Sequence, residues 1–335
     1  MRPTVAIARS ARRAHLVGLF GALIALNVSA WVWALEVFQA YPTLIGLAVL
    51  AYSFGLRHAI DADHIAAIDN VTRKLMQEGE RPASTGLYFS LGHSTVVIVA
   101  SIALASLTSA TRTHLQGLKD RMSLIGTAVS VAFLLAIAIT NAVALRDAVR
   151  GLPQGRNPSL PGGLLARILQ PLFRLVSRSW HMYVLGLLFA LGFDTVTEIG
   201  VLGIAATQAA RGLALVSILI FPLLFTAAMS LVDTLDSTLM VGVYGWALLD
   251  PARRRRYNIT MIAISVLIAI LVASVEGLGL IASHMSARGA PWSTLVALNE
   301  HLVILGSLII ALFVACWLAA VAVQRIQARN IRGSL

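Results

Sequence analysis

Cysteine is almost missing from this chain of 335 residues. Cys316 stands alone, which excludes a disulfide framework and a thiolate metal cluster. Charge is scarce too: 12% of residues are charged, half of the about 25% found in soluble globular domains. No G-x4-G-K-S/T run occurs, so the chain holds no P-loop for nucleotide hydrolysis. Neither H-E-x-x-H nor G-x-S-x-G is present, which removes the common zinc-peptidase and serine-hydrolase patterns. The net charge is +11, yet no aromatic residues are interleaved with the basic ones, so a nucleic-acid surface is not indicated.

What the chain has in quantity is apolar surface. Hydrophobic residues make up 58% of it and come in runs of about 20, the length that crosses a hydrocarbon core of about 30 Å. Such runs lie at about 16–38, 43–66, 86–107, 122–145, 181–206, 213–231, 258–282 and 300–323. A water-soluble core has no use for so many. The sequence therefore predicts an all-α integral membrane protein of about eight transmembrane helices, a single polytopic domain over 1–335. Helices 1–4 occupy about 16–145 and helices 5–8 about 181–323. Between them lies a polar connection, about 146–179, in which Pro153, Pro158 and Pro161 block regular helix. The segment 232–249 stays partly apolar and either prolongs the sixth helix or forms a second, broken piece. Val28-Ser29-Ala30 resembles a signal-peptidase site, but the apolar run continues through Trp31, Trp33 and Phe38, and a retained first helix is expected.

Basic residues orient the bundle. With the N-terminus inside, twenty of the 26 fall on cytoplasmic segments and five on the opposite side, Arg57 lying within a span. Both termini are thus expected in the cytoplasm, where the arginines of the inner loops meet anionic lipid. A short echo, F-x-L-G-x-x-T-V, links Phe89–Val96 to Phe189–Val196 and hints at repeated halves.

Against this background the second span is anomalous. Arg57, His58, Asp61, Asp63 and His64 place five ionisable groups within eight residues, with Asp69 following. A charged side chain at the helix centre costs about 2.5–3.5 kcal/mol on insertion scales, so the group would cost on the order of 10 kcal/mol facing lipid. A structural ion-pair network and a cation site both relieve that cost, and Arg57 is read as the partner of a neighbouring carboxylate.

Helix geometry limits what the cluster does. On an ideal helix His58, Asp61 and His64 share an arc of about 120°, while Asp63 points about 140° away from His58. His58 and His64 would stand about 9 Å apart along the axis, too far for one metal with nitrogen ligands at about 2.0–2.1 Å. Either the helix is broken between Gly55 and His64, or the groups form successive sites, or one group ligates while another supports it. The broken helix is the favoured reading. Asp194 and Glu198, four apart, share a helix face. With His93 on the third span, and Asp233 and Asp236 after the sixth, they complete a set of nitrogen and oxygen donors. Imidazole with carboxylate and no thiolate suits nickel, cobalt, zinc or manganese and argues against copper(I).

These residues carry a resemblance to the nickel/cobalt transporter family of high-affinity permeases. Arg57-His58-Ala59-Ile60-Asp61-Ala62-Asp63-His64-Ile65 is similar to that family's second-helix signature, which contains H-x4-D-H. Leu91-Gly92-His93-Ser94 resembles its third-span motif, and Leu191-Gly192-Phe193-Asp194-Thr195-Val196-Thr197-Glu198 its fifth. Phe221-Pro222 through Asp233-Thr234-Leu235-Asp236 follows on the sixth, and the whole resemblance covers about 16–323. Two positions depart from the pattern, Ala228 and Ser237, both where glycine is frequent, and neither removes a donor atom.

The resemblance implies a secondary permease of the bacterial inner membrane that takes up Ni²⁺, and possible cargo Co²⁺, with no cofactor and no nucleotide. It implies that His58, Asp63 and His64 recognise the metal and that Asn27 on the first span influences selectivity. Asp61, His93, Asp194 and Glu198 are the further candidate donors. Arg57, Asp233 and Asp236 are placed in support. A divalent-metal exporter of related architecture would share this chemistry. An intramembrane metalloenzyme and a proton channel or metal sensor are the rival classes, which net dication movement into reconstituted vesicles separates.

Overall fold

The computed structural model describes residues 3–80, 82–106, 109–150, 176–192, 196–247 and 251–285, with scattered positions of the last apolar stretch between 289 and 318. Among the described residues every regular element is helical. In chain order they are α1 (Pro3–Phe38), α2 (Pro42–His58), α3 (Ala62–Gln77), α4 (Thr85–Ser106) and α5 (Ser109–Arg150). After a 3-10 turn at Ser179–His181 come α6 (Met182–Ala190), α7 (Val196–Ala210), α8 (Leu215–Ile218), α9 (Ile220–Ala247) and α10 (Pro251–His284).

Five stretches are long and apolar enough to cross a membrane: Arg13–Phe38, Thr85–Ser106, Leu124–Asp147, Leu215–Gly242 and Ile262–Ala282. α2 and α3 together make a sixth, bent by 51°. The outer face of α1 shows why lipid is the solvent. Ile24, Val28, Val32 and Leu35 stand exposed, while Leu23, Ala30, Ala34 and Phe38 of the same helix are buried. Side chains of the first kind are out of place in water and at rest among acyl chains.

Two of the expected spans are interrupted. The run 43–66 is α2, a break, and the start of α3, which then continues to Gln77 and buries His64, Asp69, Asn70, Thr72 and Arg73. In the run 181–206, α6 ends at Ala190 in a turn at Leu191–Gly192, and α7 takes up from Val196. The opposite happens at 232–249: α9 runs unbroken to Ala247, so Asp233 and Asp236 lie inside a helix and cap nothing. Residues 151–175, which hold Pro153, Pro158 and Pro161 of the central connection, and most of 300–323 lie outside the described residues.

α9 is the axis of the bundle, with α1, α2, α3 and α4 packed around it. Ala48 and Ala51 of α2 share a cluster with Phe221, Leu224 and Phe225 of α9, joined by Ala34 and Phe38 of α1. α4 and α6 meet backbone to backbone: a β-carbon at Gly92 would strike the Tyr183 carbonyl oxygen, and one at Gly186 the Phe89 carbonyl oxygen. Helices in lipid gain little by hiding apolar side chains, so small residues that permit such contact drive their association. The two phenylalanines of the sequence echo, Phe89 and Phe189, lie edge to face at 5.4 Å.

Candidate metal centre

The centre begins with the break. Ala59 still donates to Gly55 in helical fashion, but the N–H groups of Ile60 and Asp61 drop back to the carbonyls of Arg57 and His58, at 3.2 and 3.0 Å. Asp61 then takes an extended conformation (φ −62°, ψ 144°), and the helical ladder resumes with Ile65 donating to Asp61 at 3.2 Å. This turn folds His64 back onto His58. Their ring centroids stand 4.5 Å apart, edge to face.

His93 of α4 closes the third side, with centroids 4.7 Å from His58 and 4.9 Å from His64. All three histidines are buried, and one ring nitrogen of each lies within 4.8 Å of the others. Nε2 of His58 and Nε2 of His93 are 2.9 Å apart. Glu198, in the first turn of α7, places Oε1 2.8 Å from the same His93 nitrogen and 4.0 Å from that of His58. A single N–H on His93 cannot serve both neighbours, so lone pairs converge on one point. Two nitrogen ligands at right angles around an ion at about 2.1 Å stand about 3 Å apart, and the His58–His93 pair already has that spacing.

His64 sharpens the reading. Its Nε2 has no hydrogen-bond partner, nor has Nδ1 of His93, although both are buried. Leaving a buried polar atom unsatisfied costs about 1–3 kcal/mol. Such atoms persist where a ligand completes them.

Carboxylates and a hydroxyl brace the rings from behind. Asp61 Oδ2 is 3.3 Å and Thr197 Oγ1 3.1 Å from Nδ1 of His58, while Asp233 Oδ1 is 3.6 Å from Nδ1 of His64. A partner on the far nitrogen fixes the orientation of an imidazole and raises its basicity toward a metal. Phe89 packs edge-on against His64 at 4.8 Å, and Phe225 lies 5.5 Å from His58. These apolar walls keep water from the bracing groups.

The remaining candidates lie around this cage in different ways. Asp63 is half-buried, and its Oδ1 accepts the backbone N–H of His64 at 2.8 Å, at the N-terminus of α3. Asp236 is buried one turn beyond Asp233, with Oδ2 unpartnered. Asp69 accepts a hydrogen bond from Ser265 of α10 at 3.1 Å. Arg57 is exposed, and among the described residues no carboxylate pairs with it, contrary to the expectation from its neighbours in the chain. The reason is rotation: Arg57 precedes His58 by one residue and faces outward from the helix that turns His58 inward. Asn27 does not touch the imidazoles. It donates to the carbonyls of Leu23 and Ala227, at 2.8 and 3.1 Å, and accepts from the Tyr52 hydroxyl at 2.9 Å. Asp194 lies outside the described residues.

Sequence reasoning passed over Thr197, Phe89 and Phe225. Thr197 had a signal, a polar residue beside Glu198 in an apolar helix, and Phe89 opens the echoed motif. Phe225 is one apolar residue among many and has none.

Comparison with known proteins follows the same residues. The family described as "High-affinity nickel-transport protein" matches residues 44–323. The chain is 48% identical over 326 residues to the high-affinity nickel transport protein of Cupriavidus necator, covering 94% of this chain and 93% of that one. It is 41% identical over 326 residues to the nickel transporter NicT of Mycobacterium tuberculosis, covering 91% and 87%. With the cobalt transport protein NhlF of Rhodococcus rhodochrous it shares 38% identity over 325 residues and 92% of each chain. No solved structure matches. The match takes in all four donor-bearing motifs, and the chain belongs to the high-affinity nickel-transport family of multi-pass membrane proteins.

Proposed function

We propose that this protein is a secondary permease that carries Ni²⁺, with Co²⁺ as alternative cargo, into the cytoplasm through the cage formed by His58, His64 and His93. The observation that carries this reading is the convergence of three buried imidazoles, His58, His64 and His93, beside Glu198 among membrane helices. Imidazole nitrogen binds late first-row dications well, and a carboxylate in the same cage offsets part of the ion's charge. Asp61, Thr197 and Asp233 hold the rings, and Asp63 adds negative potential beside them. Relatives named for nickel and for cobalt match this chain over more than nine-tenths of its length, as expected if one donor set accepts either ion.

The driving force needs no nucleotide. An inside-negative potential contributes about 2.3 kcal/mol per charge per 100 mV, hence about 4.6 kcal/mol for a dication, over a thousandfold in concentration. Water leaves the ion as the imidazoles replace it. Beyond the cage, α3 carries Asp69 and α9 carries Asp236, further oxygen donors for the ion on its way inward. Oxygen donors hold nickel less firmly than imidazole does, so the ion moves from tight recognition toward release. The bent α2–α3 pair is the element that alternates access.

The test is uptake of labelled nickel at nanomolar concentration into reconstituted vesicles with an imposed inside-negative potential. Wild-type protein accumulates nickel, unlabelled cobalt competes better than manganese, and the His58→Ala and His64→Ala proteins insert but accumulate nothing. Undiminished uptake by both variants overturns the assignment.

A further inference from the structure

The break between α2 and α3 leaves a backbone group that a regular helix would satisfy. The His64 N–H, which an unbroken helix would give to the Ile60 carbonyl, goes to the Asp63 carboxylate. Among the described residues that carbonyl accepts no backbone hydrogen bond. It faces Gly306 of the C-terminal apolar stretch, which is helical at 304 and 306–309. A β-carbon added at Gly306 would strike the Ile60 carbonyl oxygen and lie 3.0 Å from its carbon and 3.1 Å from the Ala62 nitrogen. These are backbone atoms, which cannot swing aside as a side chain would. One turn along, Ile309 is buried in the cluster that holds Ala62 and Ile65, with Ile60 packed against it. The helical stretch at 306–309 is therefore seated on the break, and at 306 only glycine fits.

We propose that Gly306 is a positioning residue for metal binding: its bare Cα lets the last helix clamp the Ile60–Ala62 break in the form that turns His58 and His64 toward one ion. A methyl group at 306 must push the last helix away or push the break inward. Ile60–Ala62 carries His58 on one side and His64 on the other, so either movement changes the angle between two ligands. Losing support of this kind typically costs about 10–100-fold in metal affinity. The inference rests on the metal cage proposed above.

The test compares full-length Gly306→Ala and Gly306→Val proteins, purified in detergent, with Gly46→Ala and Gly203→Ala. An added β-carbon at either control position, on α2 and α7, meets nothing within 4 Å. Nickel affinity is measured by titration calorimetry, and cage geometry by the visible absorption of bound cobalt. The expected result is a nickel affinity lower by about 10-fold or more in Gly306→Ala and lower still in Gly306→Val, with a changed cobalt spectrum in both. The controls keep the wild-type affinity and spectrum. Unchanged affinity and spectrum in both Gly306 variants overturns the proposal. Loss of the Gly306→Ala protein itself from the membrane, with both controls retained, also overturns it, because the residue then serves the whole bundle and not the cage. A wild-type protein that binds neither metal would instead take down the cage reading on which this inference stands.

Discussion

His58 and His64 are six residues apart in the chain and 4.5 Å apart between ring centroids, each on its own helix. On one continuous helix they would be separated by about 9 Å of rise. Their encounter is the work of three residues, Ala59, Ile60 and Asp61, the last two of which close short turns with their N–H groups before α3 restarts. Broken helices at membrane depth survive only where protein or a polar cavity receives their freed backbone groups. Here the Asp63 carboxylate receives the His64 N–H, and Gly306 lies against the Ile60 carbonyl.

Asp61 is the first residue to test from that relationship. Its Oδ2 lies 3.3 Å from Nδ1 of His58, and it makes no side-chain cap to α3, so its loss acts on the imidazole and not on the helix end. Asp61→Ala is expected to weaken nickel binding by about 10–100-fold. Asp61→Asn keeps an acceptor for the Nδ1 hydrogen and should fall between wild type and alanine. Titration calorimetry on the three proteins gives the order. Equal affinities in wild type and Asp61→Ala would show that His58 is oriented by other means.

Glu198 occupies a different place, facing the converging nitrogens themselves. Glu198→Gln retains the size and one acceptor but removes the charge beside His93 Nε2, 2.8 Å away. The expected loss of nickel affinity exceeds the about 10–100-fold typical of an orienting partner. Membrane insertion should be unimpaired, since a neutral amide is easier to bury than a carboxylate. A Glu198→Gln protein that binds nickel more tightly than Asp61→Ala would remove Glu198 from the ligand set.

Much of this was legible in the chain. Run length and charge scarcity defined a helical membrane protein, and the spacing of His58 and His64 favoured a break over successive sites before any fold was seen. Glu198 and His93 stood out because donors in apolar runs are costly. The long-range choices were hidden. Nothing in the local pattern says that Asp233, and not Asp63, stands behind His64, because that depends on how α9 packs along α3. The fate of 232–249 was equally open, since Asp233, Asp236 and two glycines suggest interruption while buried partners let α9 run straight through. Arg57 misled for the same reason: proximity in sequence to three acids says little once 100° per residue turns it outward.

Arg57 therefore yields a prediction of small effect. It is exposed, and among the described residues no carboxylate pairs with it. Arg57→Gln is expected to change nickel affinity by less than about threefold, in keeping with the small contribution of exposed charges. Uptake at high and low ionic strength checks this. A loss as large as that of Asp61→Ala would place Arg57 in the metal path.

Asn27 offers the most discriminating pair of variants. Its side chain ties three helices together, donating to Ala227 of α9 and accepting from Tyr52 of α2 while it sits on α1. Ala227 is two residues from Phe225, whose ring packs on His58. Asn27 thus reaches the cage only through the placement of α9 and α2. Interhelical hydrogen bonds in membranes contribute about 0.6 kcal/mol on average, so Asn27→Ala should cost about 1 kcal/mol and Tyr52→Phe about half of that. Thermal unfolding in detergent reads the first quantity, and competition between nickel and cobalt reads the second. If helix placement is the route, both variants shift the nickel-to-cobalt ratio in the same direction, Asn27→Ala further. A ratio that moves in Asn27→Ala and stays at the wild-type value in Tyr52→Phe means that the amide meets the ion itself during transport.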